Sequence, residues 1–210
     1  MMSPTIPGPA YRIQTERLVL RCWDPRDAPL LQAAIDASLE HLWDWMQWAR
    51  GEPQDLQTKI GLLRRFRGDF DLGNDFVYGI FNPEESQVLG GTGFHTQVGK
   101  DALEIGYWIH VDFINRGLAT ETARALTRVA FTVNEVKRVE IHCDHDNVRS
   151  AAVPRKLGFV HEATLRRRDV TPGGEPRDTM IWTLLDDEFP DSPAASAAIQ
   201  AFDAIGRRIL

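Results

Sequence analysis

An α+β fold, a mixed and mostly antiparallel sheet with helices on both faces, is what this sequence predicts. Two observations carry the prediction. Strand patterns gather early around a turn-rich hairpin, and the second half then runs helix–strand–helix–strand–strand. The stretch EIGYWIHVDFINRGLATET, residues 104–122, passes from an apolar strand through an Arg-Gly-x-Ala turn straight into an amphipathic helix. That order aims unpaired backbone N–H groups and the positive end of a helix dipole at one point. Gly117 has no side chain to block a close approach, so the corner suits a pyrophosphate.

The elements follow in order. Thr15–Trp23 alternates Leu18, Leu20 and Cys22 with charged neighbours, the period of a strand. Asp24-Pro25 reads as N-cap and first helical residue of a helix through Leu30, Leu31, Ala34 and Leu39. A tryptophan-rich segment, His41–Ala49, separates it from a second helix over Asp55–Asp71. Phe76–Phe81 and Val88–Phe94 are strands joined by Asn82-Pro83-Glu84-Glu85-Ser86. Ala102–Ile109 is a strand, Gly117–Val133 a helix, Lys137–Cys143 a strand and Val148–Leu157 a helix. Phe159–Arg166 and Arg177–Leu185 are the last strands, with Pro172-Gly173-Gly174 in a loop between them. After an acidic, Pro-containing linker, Ala195, Ala198, Ile199, Phe202, Ile205 and Ile209 recur at helical spacing. Residues 190–210 therefore read as a C-terminal helical extension of a single domain spanning 1–189, packed on that domain or on a partner chain.

With 210 residues, 43% apolar and 26% charged, the chain supports one large globular domain. No apolar run reaches the roughly 20 residues of a membrane span, so no membrane partner is expected. The net charge of −6 argues against a general nucleic-acid binder. Residues 1–11 show no basic-then-apolar pattern, and Cys22 and Cys143 stand far apart without metal-ligand spacing. A reduced, cytoplasmic chain is the expectation.

Five motifs bear on function: TERLVLR at 15–21, EIGYWI at 104–109, NRGLATE at 115–121, NVRSAAVPRKLGF at 147–159 and RDTMIWTLL at 177–185. In order and spacing they resemble the GNAT acyl-CoA N-acetyltransferase superfamily, and within it the Rim-type branch named for ribosomal-protein-alanine N-acetyltransferases. The resemblance covers about four fifths of the chain. It implies a central sheet of about seven strands with one splayed cofactor-binding strand, and acetyl-CoA as co-substrate. In the family signature Gln/Arg-x-x-Gly-x-Gly/Ala, Gly117 and Ala119 fit, while Ile114 replaces the Gln or Arg. That loses a side-chain donor and keeps the backbone amides.

The resemblance implies that the amides of Arg116, Gly117, Leu118, Ala119 and Thr120 hold the pyrophosphate. It further implies that the backbone of Ile109, His110 and Val111 pairs with the pantetheine arm, and that Asn147 bonds that arm. Asn147 is equally a good N-cap. Many of these enzymes protonate the departing thiolate with a Tyr where this chain has Pro154. Rim-type members give the role to a Ser matching Ser150, which can also be a helix-surface residue. Amine acetylation needs a base, for which Glu104 is the first candidate, with His145, His95 or a water as alternatives. The run His142-Cys143-Asp144-His145-Asp146 lacks converging ligands, and no metal is expected. Trp43, Trp45 and Trp48 offer walls for the acceptor or pack in the core. The expected reaction is direct acetyl transfer to a primary amine, on a protein N-terminus or a small molecule. A larger donor such as succinyl-CoA and a non-catalytic acyl-CoA-binding domain are the rivals. A homodimer is the commonest assembly for such a chain.

Overall fold

The computed structural model describes residues 9–171 and 173–210. Most of the Pro- and Gly-bearing start, and Pro172 of the loop between the last two strands, lie outside the described residues. Nine strands form one sheet: β1 (Arg12–Gln14), β2 (Val19–Cys22), β3 (Phe76–Phe81), β4 (Val88–His95), β5 (Ala102–Ile109), β6 (Arg138–Asp144), β7 (Val160–Val170), β8 (Pro176–Leu185) and β9 (Gln200–Phe202). Their order is β7-β8-β6-β5-β4-β3-β2-β1-β9, antiparallel throughout except where β5 meets β6. Four helices cover the faces: α1 (Ala28–Trp43), α2 (Leu56–Leu72), α3 (Leu118–Thr132) and α4 (Val148–Lys156).

Side-chain alternation divides the core in two. Trp108 of β5 packs with Trp23, Leu31, Ile35 and Leu63 beneath α1 and α2. Ile105 and Ile109, at odd positions of the same strand and so on its opposite face, pack with Leu126, Val129 and Val153 beneath α3 and α4. Most helix ends are those the sequence marks. Asp24 caps a 3-10 turn at Pro25–Asp27 that leads into α1, Asp55 caps α2 through Thr58 N–H, and Asn147 caps α4 through Ser150 N–H.

Two expectations need correction. The sheet has nine strands rather than about seven, because the three-residue strands β1 and β9 are too short to show a period. Residues 190–210 contain no α-helix. Their apolar spacing serves turns and an edge strand: β9 pairs with β1 through Ile13↔Ala201, and Gly206, at φ 78°, turns the chain back so that Ile209 N–H reaches the Ala201 carbonyl. Pro190 and Pro193 interrupt any helix that would start before them. The segment packs on its own domain, with Ala194, Ala197 and Ala201 buried.

The feature that positions the site lies mid-sheet. β5 and β6 pair in parallel only from Ala102↔Arg138 to Glu104↔Glu140. Beyond that point β5 stays with β4 as far as Ile109↔Gly90, while β6 follows β8 as far as Asp144↔Thr179. The two strands splay, and the gap opens toward the N-termini of α3 and α4.

Candidate active site

A cavity of about 660 Å³ fills the gap. Its walls come from the end of β5, the start of α3, the start of α4, and the chain between α1 and α2. At α3, Gly117 adopts the left-handed conformation, φ 79°, and caps the helix with no side-chain hydrogen bond. The first intrahelical bond runs from Glu121 N–H to the Gly117 carbonyl at 3.0 Å. The amides of Leu118, Ala119 and Thr120 therefore have no helical partner, and all three residues line the cavity. Asn115, at φ 61°, adds a second left-handed residue to the corner. Arg17 braces it from outside, donating to the Arg116 carbonyl at 3.1 Å and pairing with Glu121 at 2.5 Å. Arg116 itself stacks its guanidinium on Phe113, 5.0 Å from the ring centroid, and only its backbone belongs to the corner.

On β5 the placement differs in part from the sequence reading. His110 N–H is taken by the Leu89 carbonyl at 2.8 Å, and Val111 N–H by the buried hydroxyl of Ser38 at 3.0 Å. Alternation along β5 then turns the backbone groups of Tyr107 and Ile109 toward the gap. Of the three residues expected to pair with the arm through their backbone, Ile109 turns its own groups toward the gap, and Tyr107 joins it. The His110 ring is buried and accepts from Asp112 N–H at 3.1 Å.

Ser150 and Tyr107 meet across the cavity, hydroxyl to hydroxyl, at 3.1 Å. The contact has a local cause. Pro154 has no N–H, so the Ser150 carbonyl lacks its helical donor, and the Tyr107 hydroxyl lies 3.3 Å away as a substitute. Burial raises the Tyr107 pKa well above 10, which keeps the phenol protonated and able to donate. Cys143, behind Ser150, is likewise held as a thiol, its pKa pushed up to about 11 chiefly by burial.

A second cavity, of about 790 Å³, lies on the other face of β5 under α1 and α2. Met46, Tyr107 and Trp108 line both cavities, so the two meet at the splay. Trp48 forms a wall of the second, edge-on to Trp108 with ring centroids 6.0 Å apart. Trp45 lines the first. Trp43 lines neither; it is half exposed and closes the turn after α1 by donating to the Ala49 carbonyl at 3.0 Å. Arg177 ties this segment down, donating to the Trp45 carbonyl at 3.2 Å while pairing with Asp144 and Asp169.

The candidate bases also separate. Glu104 faces His142 at 3.4 Å, His142 bonds Glu140 at 2.6 Å, and Glu104 lines neither cavity. His145 is exposed beside Asp146. His95, the cross-strand partner of Glu104, lines the second cavity with its ring over Gly106. A β-carbon at Gly106 would come within 3.1 Å of His95 Nε2. Asp75 holds Nδ1 at 3.0 Å, and that hydrogen bond raises the His95 pKa above its ordinary value, with Glu104 adding to the field. Among the described residues no group of three or more His, Cys, Asp or Glu side chains is arranged to hold a metal ion. No described helix is long and apolar enough to cross a membrane.

Comparison with known proteins gives this geometry its family. Residues 17–160 match the family described as Acetyltransferase (GNAT) domain. The chain belongs to that family. It is an acyl-CoA-dependent N-acetyltransferase of mixed α/β GNAT fold, related to the Rim-type branch. YdaF of Bacillus subtilis (strain 168), whose name assigns ribosomal N-acetylation provisionally, is 28% identical over 83% of this chain and 94% of its own. The [Ribosomal protein uS5]-alanine N-acetyltransferase of Escherichia coli (strain K12) is 28% identical over 73% of this chain and 80% of its own. A RimL ribosomal L7/L12 alpha-N-protein acetyltransferase solved with coenzyme A superposes with a TM-score of 0.75 at 21% identity, covering 83% of this chain and 97% of the other. It is a likeness of fold.

Proposed function

We propose that this GNAT enzyme moves an acetyl group from acetyl-CoA to a primary amine by direct attack within a ternary complex. The observation that carries the reading is the meeting of two cavities at Met46, Tyr107 and Trp108, one on each face of a splayed strand. The first cavity fits the donor. Free amides at Leu118–Thr120 suit a pyrophosphate, the inward-turned backbone of Tyr107 and Ile109 suits an amide-bearing arm, and Asn147 stands at the cavity wall. The second cavity takes the acceptor.

Bound acetyl-CoA supplies an acetyl thioester and a thiolate leaving group. His95 Nε2 accepts a proton from the acceptor ammonium, and Asp75 holds the imidazole for that task. The base role goes to His95 rather than Glu104 because His95 lines the acceptor cavity. Ser150 Oγ gives its proton to the departing sulfur and takes in turn the second proton that the amine nitrogen sheds as the adduct collapses, while the Tyr107 hydroxyl at 3.1 Å orients it. No covalent enzyme intermediate is needed, consistent with a Cys143 held protonated. The named relatives act on ribosomal proteins, so a protein N-terminus stands beside small-molecule amines as an acceptor class.

A thiol-release assay with acetyl-CoA and a panel of amines and N-terminal peptides tests the reading. Amine-dependent release with a mass gain of one acetyl group is expected. Tight acetyl-CoA binding without release from any acceptor would make the chain a binding domain. Faster release from succinyl-CoA would change the donor.

A further inference from the structure

We propose that the second cavity takes a primary amine carried on an aromatic or branched apolar body with no second positive charge. The inference rests on that cavity being the acceptor site. Its walls include Trp23, Trp48, Trp108 and Phe66, flat surfaces that gain from apolar contact along their length. Trp48 is 42% exposed, so one face of its indole is open to a ligand that the neighbouring Trp108 does not cover.

The charges of the lining point the same way. Recognition of a polyamine or aminoglycoside requires carboxylates free to meet its several ammonium groups. The second cavity holds two carboxylates, and both are engaged. Glu52 forms a buried ion pair with Lys59, whose side chain is fully inaccessible. Asp75 is bound to His95 at 3.0 Å. Withdrawing Glu52 to serve a ligand would strand the Lys59 ammonium in the core. At the rim Arg65 carries a positive charge with no ion pair among the described residues. Lys59, buried outside the lining, neutralises Glu52, so Arg65 offsets the one remaining carboxylate, Asp75, and protonation of His95 makes the sum positive. A second ammonium on the acceptor therefore finds no partner, whereas a first one finds His95 Nε2 as its proton acceptor.

The experiment compares tryptamine, phenethylamine, spermidine and tobramycin as acceptors with acetyl-CoA, alongside calorimetric binding of each amine to the CoA-loaded enzyme. The expected result is a kcat/KM for tryptamine at least about tenfold above that for spermidine, the scale on which apolar contacts and unmatched charges discriminate. Trp48→Ala should lower tryptamine use about fivefold with acetyl-CoA affinity retained. Leu62→Glu combined with Arg65→Gln, which adds a carboxylate to the lining and removes its i,i+3 arginine, should raise spermidine use several-fold. Equal or better use of spermidine or tobramycin by the unaltered enzyme overturns the inference. If no amine releases thiol, the acetyl-transfer reading fails on its own. The cavity's preference is then read from calorimetry: tryptamine binding with spermidine excluded supports the inference, and the reverse order, or no binding of either arylamine, overturns it.

Discussion

At the scale of single residues, the proposed reaction rests on two hydroxyls and one imidazole. Ser150 is a modest acid, and a thiolate with a pKa near 8.5 leaves with little help. Ser150→Ala should therefore slow acetyl transfer about tenfold, below the 10²–10⁴ of a full general acid, and leave acetyl-CoA affinity within about twofold. Tyr107→Phe should slow the same step, and the double variant should be no slower than the worse single one, because the phenol acts only by orienting the Ser150 hydroxyl. Stopped-flow thiol release reads all three. His95 gives a pH signature. Its pKa is raised above 6.5, first by the Asp75 hydrogen bond, and the base works only when neutral. The kcat/KM should thus rise with pH through an inflection above 6.5. Asp75→Asn should move that inflection down, and His95→Gln should abolish it. A profile unchanged in His95→Gln would leave the base elsewhere. That Ser150 and Asn147 stand together at one helix start beside the first cavity was legible, because their motif is continuous in the sequence. The Asp75–His95 pair was not, since its members lie 20 residues apart and meet only through the β3–β4 register that sets Phe76 opposite Phe94. That Glu104 lines neither cavity was not legible, because alternation gives the face of a side chain and not its partner, and His142 lies across the parallel pair.

At the scale of elements, the proposed donor site makes cofactor affinity depend on the corner before α3. Gly117 has open space where a β-carbon would project, with Arg17 Nη2 the nearest atom at 3.7 Å, so sterics do not demand glycine there. The backbone does. An L-residue held at φ 79° costs about 1–2 kcal/mol, and the corner relieves it by turning its amides away from the cavity. Gly117→Ala should weaken acetyl-CoA binding about tenfold in calorimetry. The same variant should leave the Ser150 proton step unchanged once acetyl-CoA is saturating. If affinity holds while thermal stability falls, the amides of Leu118–Thr120 are not the pyrophosphate site. This corner was legible because strand, turn and helix follow without interruption, so local sequence dictates local geometry. The free amides of β5 were less so. Which N–H groups are taken depends on Leu89 and on Ser38, a residue of α1 that lies 73 positions from Val111. Pro154 shows the converse case: its missing donor was readable, and the Tyr107 hydroxyl that compensates for it was not.

For the molecule as a whole, the open question is what the C-terminal segment does, and the structure makes it part of the domain. β9 covers the outer edge of β1, and α3 fastens the preceding chain: Arg124 donates to the Pro193 carbonyl at 3.0 Å and to Ser196 at 2.7 Å, and Arg128 donates to the Ala197 carbonyl. Apolar spacing alone had suggested a helix, because a pattern of Ala, Ile and Phe does not reveal that its partner is the far edge of the sheet. Deleting residues 195–210 removes the β9 ladder, the Ser196 and Ala197 contacts and the cover over Ile13, which is otherwise fully buried. A loss of about 3 kcal/mol is expected, lowering Tm by roughly 6–12 °C for a chain of this size. None of these residues lines either cavity, so acetyl-CoA affinity measured below the new Tm should be retained. An uncovered β1 edge should also drive self-association, seen in light scattering as mass rising with concentration. A truncated chain with unchanged Tm but a smaller mass than the full chain would place the segment at a subunit interface, where the sheet edge of one copy is closed by another.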